Sequence, residues 1–208
     1  MTNVIYPTGR GTRPAPLLRA HAVALRLGLS LLLGALLAAP GHAAALFSFA
    51  TVPGRLPKSV VPVEYTVAVT PDADARTLRG RESVVLEFHE ASAQVIFNSL
   101  NERLEDVRLD GLPVAGVVSS DEQQLTTVSL AAPAAVGRHT LSFSYQGRIE
   151  TIPQGLFAQP YVTPAGARGL LLSTQFESTD ARRMFPCWDE PAFRATFELT
   201  VTVPAAWA

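Results

Sequence analysis

Hydrophobic and polar residues alternate along much of the chain beyond residue 60, a pattern typical of β-strands that bury one face. In the segment 63–70 every second residue is apolar, beginning with Val63 and Tyr65, and the residues between them are mostly polar. Eight more segments share a short length, apolar or β-branched residues and a nearby turn signal: 82–89, 95–97, 104–109, 114–118, 125–130, 139–145, 169–177 and 197–203. Nine short strands predict an all-β fold, either an antiparallel β-sandwich or a barrel.

Three details complete this prediction. The segment 147–169 contains three prolines, and we expect a long loop with short extended pieces there. Only residues 180–185 have helical character, because Thr179 could cap a short helix and Pro186 would end it. In the last strand, the apolar residues of one face are expected to point inward: Phe197, Leu199, Val201 and Val203.

The beginning of the chain differs in charge from the remainder. Six basic residues and no acidic residue precede Glu64. An uncharged apolar run of 13 residues, Leu27–Ala39, follows the first four of these basic residues. Pro40 breaks the run, and small residues at Ala43 and Ala45 suit cleavage by signal peptidase. We therefore predict a helical secretory signal peptide over residues 1–45 and an exported mature chain of residues 46–208, periplasmic or secreted.

The competing interpretation of this region is an uncleaved signal that anchors the chain in a membrane. A spanning helix needs about 20 apolar residues, and the run is shorter, so no stable membrane span is expected. The only cysteine, Cys187, has no partner for an internal disulfide, and we expect it to be a buried apolar side chain.

Composition and motifs narrow the possible functions. A net charge of −1 offers no electrostatic basis for binding nucleic acid. The sequence contains no nucleophile elbow, no phosphate-binding loop and no HExxH zinc motif. His89 and His139 lack a histidine or cysteine neighbour at metal-ligand spacing, so we expect them at strand surfaces or rims. No catalytic residue and no metal ligand is predicted, and the chain alone is expected to be a binding or scaffolding domain.

One segment carries a specific resemblance. Residues 173–198 read STQFESTDARRMFPCWDEPAFRATFE. This block resembles the N-terminal domain of the aminopeptidase N family, the gluzincin zinc aminopeptidases. Weaker agreement upstream, including Tyr145-Gln146-Gly147, extends the resemblance over roughly residues 54–208. It implies a sandwich or saddle-shaped β domain that is incomplete at its C-terminal end.

The resemblance also implies substrate-binding residues. In that family a Gln/Glu pair from this domain holds the free α-amino group of the peptide, and the matching residues are Gln175 and Glu177. Residues i and i+2 of a strand share a face, so both would point to one side while Phe176 points into the core. Considered without the resemblance, the two residues could instead form a solvated strand edge paired with Arg182 or Arg183. Asp180 is expected to form a local salt bridge with Arg182.

The family's zinc and catalytic residues are not matched in this chain. The resemblance implies a thermolysin-like catalytic domain as the partner, with zinc as its cofactor and peptide N-termini as substrates. We therefore expect the isolated chain to bind no zinc and to be inactive. The alternative is a non-catalytic exported β-sandwich interaction module that retains the family scaffold.

Overall fold

The computed structural model describes residues 48–207, so the predicted signal peptide, residues 1–45, lies outside the described residues. The described part is all-β, as predicted, with three short 3₁₀ turns and no α-helix among these residues. The strands are β1 (Val60–Asp72), β2 (Thr77–Phe88), β3 (Ser92–Asn98), β4 (Arg103–Leu109), β5 (Leu112–Pro113), β6 (Gly116–Ser120), β7 (Leu125–Ala134), β8 (Gly137–Arg148), β9 (Gly155–Val162), β10 (Arg168–Gln175) and β11 (Thr196–Val201).

The strands form three sheets. The largest has six strands in the order β11-β1-β2-β8-β4-β5, the second contains β3-β7-β6, and β9 pairs with β10 alone. All pairs are antiparallel except β1 with β11, which are parallel. The prediction of a purely antiparallel fold is therefore wrong at this one pair. Because β11 follows β10 through a long segment and not a tight hairpin, the chain can bring it alongside β1 in the parallel direction.

The hydrophobic core lies between the six-stranded and three-stranded sheets. Phe97 of β3 stacks on Phe143 of β8, with ring centroids 5.9 Å apart. Val128 of β7 is fully buried in the same cluster. Along β1 the predicted alternation is confirmed from Tyr65 onward, since Tyr65, Val67 and Val69 are buried and Thr66 and Ala68 are exposed. Val63, predicted on the same face, is only half-buried because the register shifts between Pro62 and Glu64. Sequence periodicity therefore selects the face of β1 that builds the core.

Two predictions about the second half of the chain are wrong. Residues 147–169 are not mainly a loop, because Gly155–Val162 forms β9 and pairs along its whole length with β10. Pro160 is compatible with this strand because the sheet has only two strands, and a proline can occupy an edge. The apolar residues expected to point inward at β11 and just beyond it are exposed instead, at 57% for Phe197, 56% for Leu199, 50% for Val201 and 39% for Val203.

The predicted helix is also shorter than expected. Only Ala181–Arg183 is helical, as a single 3₁₀ turn between β10 and β11. The surrounding residues, from Gln175 to Thr196, form an irregular segment that crosses from the two-stranded sheet to the large one. This segment contains most of the block singled out in the sequence.

Candidate functional site

Gln175 and Glu177 lie at the end of β10. Gln175 is the last residue of the strand and pairs with Gly155 of β9. Glu177 lies two residues further on, in the turn that follows. Phe176, between them, is half-buried and meets the Phe185 ring edge-on at 6.0 Å, so it points inward as predicted.

Both polar side chains face solvent. Gln175 and Glu177 are exposed, and among residues 48–207 neither side chain has a hydrogen-bond or ion-pair partner. The strand ends at Gln175, so the position of Glu177 is set by the turn and not by strand periodicity. An exposed carboxylate and an exposed amide two residues apart can both accept hydrogen bonds from a ligand. Their role in binding a peptide amine remains a prediction.

Arg182 and Arg183 bind partners other than those expected. Arg182 is buried and donates from Nε to Asp189 Oδ2 at 2.9 Å and from Nη1 to Gln124 Oε1 at 3.1 Å. Arg183 donates from Nε to Asp180 Oδ1 at 2.7 Å. The predicted Asp180–Arg182 salt bridge is therefore wrong. The 3₁₀ turn rotates successive side chains apart, so Arg182 points into the core and Arg183 towards β9.

The buried Arg182 helps to attach the block to the three-stranded sheet. Cys187 and Asn98 exchange two backbone hydrogen bonds, of 2.8 and 2.9 Å. The Asn98 side-chain oxygen accepts from the Asp189 N–H at 3.1 Å, and Asp189 in turn binds Arg182. The ion pair between Arg182 and Asp189, together with these neutral hydrogen bonds, satisfies the charged groups of both side chains although they are little exposed. This network fixes residues 181–189 against β3 and thereby supports the turn that carries Glu177.

The neighbouring carboxylates Asp189 and Glu190 bind different partners. Glu190 Oε1 accepts from the backbone N–H groups of Arg55 and Leu56, at 2.7 and 3.1 Å. Asp189 therefore binds Arg182, whereas Glu190 binds the backbone of the segment that leads into β1. Both have structural partners.

An open apolar groove lies beside the candidate site. Its volume is about 1200 Å³, and it separates the two-stranded sheet from β11. The apolar residues that line it include Leu156, Leu170, Leu172, Met184, Leu199, Val201, Val203 and Trp207. Thr174, next to Gln175, also lines it. Leu171, Leu199 and Val201, which line it, are each at least half exposed.

Sequence reasoning missed a buried acidic cluster. Glu82 on β2 and Glu102 before β4 are only 3% and 7% exposed, and all four carboxylate oxygens lack hydrogen-bond partners among the described residues. The buried Tyr145 hydroxyl also has none. Burial raises the pKa of both carboxyl groups, and the charge of Glu82 further raises the pKa of Glu102. The one available signal was that Glu82 shares its strand face with Val84, Leu86 and Phe88.

The described residues do not fit a zinc ion. No group of three or more His, Cys, Asp or Glu side chains among residues 48–207 could hold a metal. His89 is exposed, whereas the His139 ring binds Asp110 through Nδ1 at 2.6 Å. Cys187 is buried, as predicted, and burial raises the pKa of its thiol. We derive no chemical step through zinc from these residues.

Comparison with known proteins identifies the class. Residues 61–207 match the family described as the Peptidase M1 N-terminal domain. The match covers most of the chain and includes all eleven strands except the first residue of β1. This chain belongs to that family.

Individual relatives agree with the family assignment. Aminopeptidase N of Acetobacter pasteurianus is 41% identical over 175 residues, which are 84% of this chain and 49% of that protein. Aminopeptidase M1-D of Oryza sativa subsp. japonica is 31% identical over 153 residues, 73% of this chain but 17% of the relative. Aminopeptidase M1 of Arabidopsis thaliana is 30% identical over 158 residues, and 18% of it is covered. The chain thus spans half or less of the length of these relatives.

Residues 48–207 contain no helix with the length and hydropathy of a membrane span.

Proposed function

We propose that this chain is the amine-recognising N-terminal β domain of a zinc aminopeptidase that removes N-terminal residues from peptides. The observation that carries the proposal is the pair Gln175 and Glu177, exposed, without partners among residues 48–207, and held at a strand end within the family block. Their neighbours Asp180 and Asp189 are bound to arginines within the fold, whereas Gln175 and Glu177 keep their hydrogen-bonding groups available to a ligand.

The chemistry explains a preference for chain ends. A free α-amine has a pKa of about 7.7–8.0, so it is largely cationic at neutral pH. The Glu177 carboxylate supplies a charge-assisted hydrogen bond, and the Gln175 side-chain oxygen supplies a second acceptor. A peptide nitrogen inside a chain carries no charge and gains much less from this pair. The site therefore favours exopeptidase substrates.

The partner of this domain is a thermolysin-like catalytic domain, which would hold the zinc and activate water. The apolar groove between the two-stranded sheet and β11 supports this partner, because Leu199, Val201 and Trp207 are about half exposed there. Covering such surface is favourable by about 25 cal/mol per Å². The longer relatives, of which this chain matches less than half, provide polypeptide of the required size.

A titration with small peptides tests amine recognition. Residues 46–208, labelled with ¹⁵N, would be titrated with Leu-Gly-Gly and, separately, with its N-acetylated form, which has the same shape without the positive charge. One or two hydrogen bonds to a charged group correspond to dissociation constants of about 1 mM or weaker. We expect amide shifts around Gln175 and Glu177 with the free amine only.

Variants make the result specific. Glu177→Gln should abolish the preference for the free amine, and the matched control Glu122→Gln, an exposed carboxylate elsewhere, should leave it unchanged. Equal binding of both peptides by the unaltered chain would refute the role assigned to Gln175 and Glu177.

The alternative function, a non-catalytic interaction module, shares the apolar groove but not the amine site. If the groove captures a protein partner while neither peptide binds, this alternative replaces the leading proposal.

Export is a separate proposal, based on the apolar run after the basic residues. A fusion of residues 1–45 to alkaline phosphatase without its own leader should be active outside the cytoplasm. N-terminal sequencing of the cleaved fusion should then start with the first phosphatase residue, directly after Ala45. An uncleaved fusion retained in the membrane fraction would instead support the anchor, and a cytoplasmic fusion would refute both.

A further inference from the structure

A chain of ion pairs lies behind the turn that carries Glu177. Asp180 accepts from Arg183 Nε at 2.7 Å, and Arg183 Nη1 lies 3.6 Å from Glu150 Oε1. Glu150 also accepts from Arg148 Nε at 3.3 Å. The Asp180, Arg183 and Glu150 side chains are less than one-fifth exposed, at 18%, 19% and 16%, so solvent screens these pairs less than it screens surface ion pairs.

The backbone connects this ion-pair chain to both strands of the candidate site. The Asp180 N–H donates to the Phe176 carbonyl at 2.9 Å and closes the turn that contains Glu177. At the other end, Glu150 exchanges backbone hydrogen bonds with Leu156 and Ala158 of β9, at 2.8 and 2.9 Å. Arg183 thus joins the turn after β10 to the segment that precedes β9.

Close packing at Gly155 places Arg183 against the β9 residue opposite Gln175. Gly155 pairs with Gln175 in the β9–β10 register. A Cβ atom at Gly155 would lie 2.6 Å from Arg183 Cβ and 3.2 Å from the Asp180 carbonyl oxygen. Gly155 also has φ of +62°, a conformation that favours glycine. The absence of a side chain here lets Arg183 pack against β9 at the residue that pairs with Gln175.

We propose that Arg183 is the positioning residue of the amine site. This inference rests on the proposed function. Glu177 has no side-chain partner among the described residues, so its carboxylate is located only by the turn. Arg183 fixes that turn relative to the strand carrying Gln175, and the amide and carboxylate are pre-arranged for one ammonium group. Pre-arrangement lowers the ordering cost that a ligand must otherwise overcome on binding.

The geometry requires arginine in particular. The planar guanidinium presents Nε to Asp180 and Nη1 to Glu150, in two directions at once. Lysine keeps the positive charge but has a single ammonium group and cannot reproduce this fork. Arg183→Lys therefore separates the geometric role of the residue from its charge.

The test uses residues 46–208 and the two tripeptides described above. We expect Arg183→Lys to weaken binding of Leu-Gly-Gly by about three- to tenfold and to reduce the preference over the acetylated peptide. In the free variant, the amide resonances of Gln175 and Glu177 should shift or broaden. Arg138→Lys, which alters an ion pair with Glu87 at a remote strand, is the matched control and should change neither quantity.

Asp180→Asn provides a second variant if Arg183→Lys does not fold. It preserves the shape of the side chain, removes the charge that binds Arg183 Nε, and should weaken amine binding in the same way. Binding as tight as that of the unaltered chain in both folded variants would overturn the positioning role while leaving amine recognition intact. Failure of the unaltered chain to distinguish the two peptides would overturn both proposals.

Discussion

Replacing Glu82 by glutamine should reduce the loss of stability that a buried carboxyl group causes as pH rises. The Glu82 side chain is on the inward face of β2, it is 3% exposed, and neither carboxylate oxygen has a partner among the described residues. Burial raises the pKa of this carboxyl group well above its ordinary value. The folded chain therefore retains a proton over a pH range in which the unfolded chain has lost it.

The direction and size of the change in the free energy of unfolding follow from proton linkage. Since the folded pKa is raised, the stabilisation is fully present below the unfolded pKa and is lost as pH rises through the folded pKa. Between these two values one carboxyl group changes the free energy of unfolding by about 1.4 kcal/mol per pH unit. Glutamine cannot ionise, so the difference in stability between variant and unaltered chain should shift in favour of the variant as pH rises from the unfolded pKa towards the raised folded pKa.

Denaturant unfolding, followed by fluorescence of the buried Trp188, measures this difference. The glutamine amide remains without a partner and costs about 1–3 kcal/mol, but that cost does not depend on pH. The pH dependence of the difference is therefore the diagnostic quantity. Glu122→Gln, at an exposed position, should run parallel to the unaltered chain. If the free energy of unfolding of Glu82→Gln also changed with pH in parallel with that of the unaltered chain, Glu82 would have an ordinary pKa and the reasoning would be refuted.

Three further predictions concern a rim ion pair, a core contact and activity. The hydrogen bond to Asp110 raises the pKa of His139, so the pair stabilises the fold below the ordinary histidine pKa. This stabilisation is lost as pH rises through the raised pKa of His139. Asp110→Asn should lower the His139 pKa measured by NMR titration, and an unchanged pKa would contradict the contact. Gly80→Ala should lower the free energy of unfolding by about 1–3 kcal/mol, because the added Cβ would overlap the Tyr145 ring. In the control Gly116→Ala the added Cβ meets no atom within 4 Å. Equal stability of the two variants in thermal or denaturant unfolding would argue against this packing. The purified chain should release no amino acid from an aminoacyl anilide. Turnover at any zinc concentration would show that this chain contains hydrolytic residues of its own.

Much of the fold was predictable from local patterns. The two-residue period marks the inward faces of β1 and β2, and each of the nine predicted segments overlaps a strand. The block around residues 173–198 was sufficient to indicate the family, which the match over residues 61–207 confirms.

The exchange of partners at Arg182 and Arg183 shows where local reasoning failed. Asp180 lies within three residues of both arginines, so sequence distance could not separate them. The structure selects Arg183 for Asp180 because Arg182 is drawn into the core by Gln124, which lies 58 residues earlier in the chain. The same limit applies to Glu82. The strand pattern predicts that its side chain points inward, but it does not show that the carboxylate lacks a partner there.

Local sequence patterns are enough to locate nine of the eleven strands and the segment that carries the family block, because these depend on periods of two and on neighbours in the chain. The parallel pairing of β11 with β1, the pairing of β9 with β10 and the exposure of Leu199 could be seen only once the chain was folded. Tyr65 lies opposite Phe197 across the sheet although 132 residues separate them in the chain. Such contacts depend on which strands meet, and a local hydrophobic pattern carries no information about its distant partner.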